Sequence, residues 1–198
     1  MSIFRPVTVI TGASSGIGAS LAHVFAANGH EVALVARREI ELTILANDLA
    51  AAYRKPPHVI VIDLQRADAP ARIAHELLAR GLEPQVVVNN AGFGLYGFAA
   101  ERDRGEQLAM IDLNVKALTD LSLRWIDAIV RQKGGILNVA SVAGFLPGPQ
   151  QAVYYATKAY VLSFTEALHR ELAPRGVRVT ALCPGPVATG FQERAGVS

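Results

Sequence analysis

Val7-Thr8-Val9-Ile10-Thr11-Gly12-Ala13-Ser14-Ser15-Gly16-Ile17-Gly18 is the stretch that decides the fold. Its first four residues are all β-branched, which favours a strand. A turn of small residues follows at once. Ile17, Leu21, Val24 and Phe25 then recur at i, i+4, i+7 and i+8, the spacing of one helix face. Small residues let a pyrophosphate approach the backbone closely, and a helix start offers unpaired N–H groups and a positive dipole end to it. The spacing Gly-x-x-x-Gly-x-Gly differs from the commoner Gly-x-Gly-x-x-Gly, and the turn lacks the Lys-Ser/Thr pair of a nucleotide-hydrolysing loop. A plain glycine turn is the competing reading, and the flanking strand and helix weigh against it.

Outward from this turn, strand-length apolar runs alternate with segments of helical period. Asn28-Gly29 stops the first helix. Strands are expected at Glu31–Ala36, Val59–Ile62, Val86–Val88, Ile136–Ala140 and Val177–Leu182, with helices over Glu39–Tyr53, Ala71–Ala79 and Val153–Leu172. A long helical region from Glu106 to Gln132 is expected to break near Asn114. Strict alternation predicts an α/β fold, a doubly wound parallel sheet of Rossmann type with six strands, in which ligands bind beyond the carboxyl ends of the strands.

The 198 residues suit one domain with a sizeable core, and 51% of them are hydrophobic. No apolar run reaches the ~18 residues of a membrane span. The opening residues lack the charged-then-apolar pattern of a secretory signal. Cys183 is the sole cysteine, which fits a reducing, cytoplasmic setting. The net charge is +2 with scattered basic residues, so no basic stripe marks a nucleic-acid footprint. The five histidines form no metal-ligand spacing, and no metal is expected.

The second strand ends Val35-Ala36-Arg37-Arg38. An NAD-binding sheet often carries an acid there for the ribose 2′-OH. Two guanidinium groups suit a 2′-phosphate instead, so NADP(H) is favoured over NAD(H). Solvated surface arginines are the competing reading. Further along, Tyr154 and Lys158 stand at i and i+4 on one helix face. An ammonium beside a phenol stabilises the phenolate and is expected to lower its pKa. Tyr-x-x-x-Lys alone is a weak signal. Ser141 and the Asn89-Asn90-Ala91-Gly92 turn fall at the same strand edge as the glycine turn, however, and Asn114 interrupts an apolar helical pattern.

Taken together, Thr-Gly-x-x-x-Gly-x-Gly at 11–18, Asp63, Asn-Asn-Ala-Gly at 89–92, Asn114, Ser141, Tyr154, Lys158 and Pro184-Gly185 resemble the short-chain dehydrogenase/reductase family, over nearly the whole chain. The resemblance implies an NADP(H)-dependent oxidoreductase moving a hydride between nicotinamide and a carbonyl or alcohol carbon. It implies a tetrad of Tyr154 as general acid/base, Ser141 on the substrate oxygen, Lys158 on tyrosine and ribose, and Asn114 holding a relay water. It implies cofactor contacts from Gly12, Ser14, Ser15, Gly16, Ile17, Gly18, Arg37, Arg38, Asp63, Leu64, Asn90, Ala91, Gly92, Tyr154, Lys158, Pro184, Gly185, Val187 and Thr189. It also implies a homodimer or homotetramer through the long helices that contain Val115 and Val153. An apolar carbonyl substrate is expected against Phe93–Gly97 and Phe145–Pro147. A non-catalytic NADP(H)-binding sensor on the same fold is the alternative. The chain stops at Ser198, short of the family's usual substrate-covering loop, last helix and seventh strand, so a C-terminal truncation relative to the family is expected.

Overall fold

The computed structural model describes residues 4–186. Six strands form one parallel sheet: β1 (Arg5–Thr11), β2 (Val32–Ala36), β3 (His58–Val61), β4 (Leu82–Asn89), β5 (Gly135–Val139) and β6 (Arg178–Leu182). Their order across the sheet is β3-β2-β1-β4-β5-β6. The chain winds outward from β1 in one direction, then returns and winds outward from β4 in the other. A right-handed crossover must change faces when the winding direction reverses. Helices α1 (Gly16–Ala27) and α2 (Glu39–Tyr53) therefore cover one face, packing Ala22, Leu42 and Leu49 on Ile10, Leu34 and Val88. The other face carries α3 (Ala69–Ala79), α4 (Arg104–Ile111), α5 (Leu118–Arg124), α6 (Ile126–Arg131) and α7 (Ala152–Leu172). Here Ile73, Leu121, Ile129 and Leu168 pack on Val9, Val35 and Val87. Strand β2, Val-Ala-Leu-Val-Ala, is buried at every position, as a strand covered on both faces must be. No helix of the described residues is long and apolar enough to cross a membrane.

Two elements differ from the expectation in an informative way. Strand β4 starts at Leu82, four residues early, although Glu83-Pro84-Gln85 reads poorly as strand. The register with β1 shifts between Val7 and Thr8, opposite Pro84 and Val86, so Gln85 is an extra residue. A bulge of this kind accommodates a proline that cannot donate to the ladder. The long helix is divided. A π-helical turn, Asp112–Ala117, joins α4 to α5, and Trp125 separates α5 from α6. The π turn holds Asn114, where the break was expected.

A buried polar ladder crosses the sheet beneath its carboxyl edge. Asn89 Nδ2 donates to Ser122 Oγ and to Asn138 Oδ1, both at 2.9 Å, and Asn138 Nδ2 donates to Thr165 Oγ1 at 2.9 Å. It ties β4, β5, α5 and α7 together. Asn138→Leu leaves the Asn89 amide and the Thr165 hydroxyl each short of a buried partner. The expected cost is about 2–3 kcal/mol, read as a lower urea midpoint with an unchanged slope. A loss under about 0.5 kcal/mol would mean that the ladder does not hold these elements.

Candidate active site

The carboxyl ends of β1 and β4, where the winding reverses, open into a cleft of about 570 Å³. Its outer end is built on the glycine turn. Gly12 has φ +63°, and a Cβ there would lie 2.8 Å from both Ala91 Cα and Asn90 Nδ2. Gly16 also takes positive φ, at 56°, and opens α1. Gly12, Ser14, Ser15, Gly16 and Ile17 line the cleft. Gly18 does not. It faces the turn from beneath, where a Cβ would run into Gly12 O and Asn90 Nδ2, so its smallness serves the packing of α1 against the turn.

Asn90, Ala91 and Gly92 line the cleft from the end of β4. Asn90 has a structural task as well: its Nδ2 donates to Thr11 O at 2.9 Å and Gly12 O at 3.1 Å. Thr11 Oγ1 accepts from the Asn90 and Ala91 N–H groups at 3.0 and 3.1 Å and donates to Val88 O. Thr11 was not singled out from sequence beyond its place in the motif. Its position as the last residue of β1 was the available signal.

Arg37 and Arg38 reach the cleft from the end of β2 and divide the work. Arg38 bonds Ser14 Oγ through Nε and Nη2, at 3.2 and 3.0 Å, and Ser15 Oγ through Nη2 at 2.6 Å, while Nη1 lies 3.5 Å from Glu41. Arg37 is exposed and has no hydrogen-bond or ion-pair partner among the described residues. Asp63 and Leu64 line the cleft just beyond β3, with Asp63 Oδ1 accepting from Gln65 N at 3.0 Å.

The inner end is built on β5 and α7. Ser141 follows β5 and caps a 3₁₀ turn, Val142–Phe145, by accepting from Ala143 N at 3.1 Å. Its hydroxyl donates to Pro184 O at 3.4 Å, and its proximity to the Tyr154 phenol pulls that group's pKa down. Pro184 and Gly185 line the cleft, whereas Val187 and Thr189 lie outside the described residues. Lys158 is buried. Its Nζ donates to Val139 O at 2.8 Å and sits 5.8 Å from the centre of the Tyr154 ring. Burial pushes the Lys158 ammonium down to about 8.

The tyrosine departs from expectation. Its pKa is raised, first by burial, with the Ser141 hydrogen bond pulling it down and Tyr155 adding to the rise. Lys158 is not among the influences. The physical reason is geometric: the ammonium is held on Val139 O, 5.8 Å from the ring centre, and desolvation of the phenol dominates.

Asn114 does not line the cleft. It is buried in the π turn, where Oδ1 accepts from Phe93 N at 3.1 Å and Nδ2 donates to Phe93 O at 2.9 Å and Thr157 Oγ1 at 3.2 Å. Thr157 in turn donates to Tyr154 O at 2.7 Å. Asn114 thus clamps the chain after Gly92 onto the helical turn that carries Tyr154. Thr157 was missed in the sequence, where i+3 from Tyr154 was the available signal. The expected apolar wall is also corrected. Neither Phe93–Gly97 nor Phe145–Pro147 lines the cleft. Phe93 packs inward with Met110, Ala143 and Tyr154, while Phe145 and Leu146 point to solvent. The inner wall comes from Leu113, Val142, Ala143, Gln151 and Tyr155.

Comparison with known proteins agrees with this architecture. The sequence profile of the family described as short chain dehydrogenase matches residues 6–196. Sulfoacetaldehyde reductase 2 of Chromohalobacter salexigens is 37% identical over 188 residues, covering 93% of this chain and 74% of that protein. A short-chain dehydrogenase from Sphingobium yanoikuyae in complex with NADPH superposes with a TM-score of 0.90 at 35% identity, over 98% of this chain and 76% of that one. A 4-hydroxyisoleucine dehydrogenase complexed with NADH superposes at 0.84 and 26% identity, over 96% and 76%. The chain belongs to the short-chain dehydrogenase/reductase family, as an NAD(P)(H)-dependent oxidoreductase of alcohol and carbonyl groups.

Proposed function

We propose that the protein is an NADP(H)-dependent carbonyl reductase or alcohol dehydrogenase in which Tyr154 is the general acid/base. The observation that carries this reading is that one cleft is lined at its outer end by Arg37, which has no partner among the described residues, and at its inner end by Ser141, Tyr154 and Lys158 together.

The residues present fit the dinucleotide. Gly12 leaves room where a Cβ would collide, Ser14 and Ser15 are held in place by Arg38, and the first turn of α1 offers its N–H groups to phosphate. The Arg37 guanidinium is free to pair with a 2′-phosphate, which NADP(H) has and NAD(H) lacks. Nicotinamide, when bound, gives hydride to or takes it from the substrate carbon, so that carbonyl, NADPH and a proton become alcohol and NADP⁺. Tyr154 supplies the proton to the substrate oxygen in reduction. Its raised pKa keeps that proton in place until charge develops on the oxygen. Ser141 donates to the same oxygen and stabilises its charge. Lys158 carries positive charge behind the ring and stabilises the phenolate as it forms. Asn114 positions Phe93 and the Tyr154 turn from beneath. Leu108, Ile111, Leu123 and Tyr160, exposed on α4, α5 and α7, support a homo-oligomer through these helices.

Tyr154→Phe should lower kcat for ketone reduction by about 10²–10⁴-fold while NADPH binding is retained. Equal turnover in both proteins would remove the role given to Tyr154, and tight NADPH binding with no turnover of any carbonyl compound would indicate a sensor.

Arg37→Ala should weaken NADPH by roughly 10–100-fold and leave NADH nearly unchanged, as expected for loss of a charge-assisted contact. Arg38→Ala should weaken both cofactors, because it releases Ser14 and Ser15. Equal losses for both cofactors in Arg37→Ala would contradict the NADP(H) preference.

The Lys158 ammonium is present below about 8 and lost above it. kcat/KM for reduction, which reports the free enzyme, should therefore fall as pH rises through about 8. A profile flat from pH 7 to about 9.5 would contradict the electrostatic role of Lys158.

A further inference from the structure

Four positions on the α7 side line the cleft: Gln151, Tyr154, Tyr155 and Lys158. They stand at i, i+3, i+4 and i+7, a single stripe along one helix face. Gln151 is the N-cap of α7, and its carbonyl already accepts the first helical bond, from Tyr155 N at 3.0 Å. Lys158 lies about 6 Å along the axis on one side of Tyr154, and Gln151 about 4.5 Å on the other. Lys158 stands beside Gly92, on the side of the dinucleotide cradle. Gln151 therefore stands on the side away from that cradle, where the rest of a substrate held at Tyr154 must extend.

Its side chain has no task in the fold. It is half-buried, makes no capping hydrogen bond to the start of α7, and has no partner among the described residues. Two polar groups that line the same inner end are engaged: Ser141 caps its turn through Ala143 N, and Lys158 is held by Val139 O. The neighbouring wall of Leu113, Val142 and Ala143 is apolar. A partly buried amide left idle against an apolar wall is expected to take a hydrogen bond from a ligand.

Resting on the reading of the cleft as a carbonyl reductase, we propose that Gln151 is the specificity-determining residue. Its amide hydrogen-bonds a neutral oxygen, hydroxyl or second carbonyl, on the carbon next to the reacting one. The substrate class is then α-hydroxy ketones and 1,2-dicarbonyl compounds with an apolar remainder. A carboxylate or sulfonate at that position is disfavoured. Among the described residues the inner cleft has no arginine, and its lysine is held on a backbone carbonyl.

The test compares the protein with Gln151→Met, which keeps the length of the side chain and removes its hydrogen bonds. Reduction of 2-hydroxyacetophenone, acetophenone and phenylglyoxylate is measured with NADPH. Binding of 1-phenylethane-1,2-diol and 1-phenylethanol to the NADPH-saturated protein is measured by calorimetry. The expected result is a kcat/KM about five- to tenfold higher for the hydroxyketone than for acetophenone, and a similar ratio in diol binding, both collapsing towards one in Gln151→Met. The same ratios in both proteins, no preference in the native one, or preference for phenylglyoxylate would overturn the assignment. If no ketone is reduced but the Gln151-dependent gap in diol binding persists, the catalytic reading falls and the role of Gln151 stands.

Discussion

Everything in this molecule depends on how closely the end of β1 can approach the end of β4. The chain leaves these two paired strands in opposite directions across the sheet, and the cleft opens beyond their ends. Asn90 bridges them by donating to two consecutive carbonyls, Thr11 O and Gly12 O, and Thr11 Oγ1 accepts from the Asn90 and Ala91 N–H groups just past β4. That spacing leaves no room for a side chain at Gly12 or Gly18. One contact thus sets the height of the turn, the direction of α1 and the floor on which a pyrophosphate can lie. A Cβ at Gly12 would push against Ala91 and displace the following Gly92, which lies against Asn114 and near Lys158. The outer and inner ends of the cleft are mechanically one object.

The electrostatics of the inner end are governed by burial. Burial acts on both members of the Tyr154–Lys158 pair in the direction of the neutral form, raising the phenol and lowering the ammonium to about 8. Each one-unit shift corresponds to ~1.4 kcal/mol of preference between protonation states. A buried lysine depressed in this way costs stability in the pH range where it must be charged. Its bond to Val139 O offsets part of that cost and fixes where the positive charge sits. On the proposed reading, Tyr154 keeps its proton at rest and gives it up to a substrate oxygen as negative charge develops there.

Much of this was legible in the sequence because local pattern and global fold agree. The β-branched run before Gly12, the all-apolar β2 and the helical periods of α1 and α7 each carry their own signal, and tertiary packing confirms them. The break near Asn114 was visible as an amide out of pattern. What was not legible has identifiable physical causes. The start of β4 is held by its pairing with β1 across a bulge, a non-local interaction that overrides the poor strand character of Glu83-Pro84-Gln85. Asn89 and Asn90 look equivalent on paper, but the alternation of a strand sends the first into the polar ladder and the second to the glycine turn. Phe93 was expected on the pocket wall, yet the Asn114 clamp turns it into the core. Gln151 carries no motif at all and becomes visible only once α7 shows which face it turns to the cleft.

On the proposed reading, a nicotinamide bound in this cleft would exchange hydride with a carbonyl carbon while Tyr154 serves the oxygen. The most direct measurement is reduction of a ketone with NADPH carrying deuterium at the transferable C4 position, followed by mass and NMR analysis of the alcohol. One deuterium per molecule of product is expected, on the carbinol carbon and on one face only. An alcohol without deuterium, or with deuterium scrambled between faces, would contradict it.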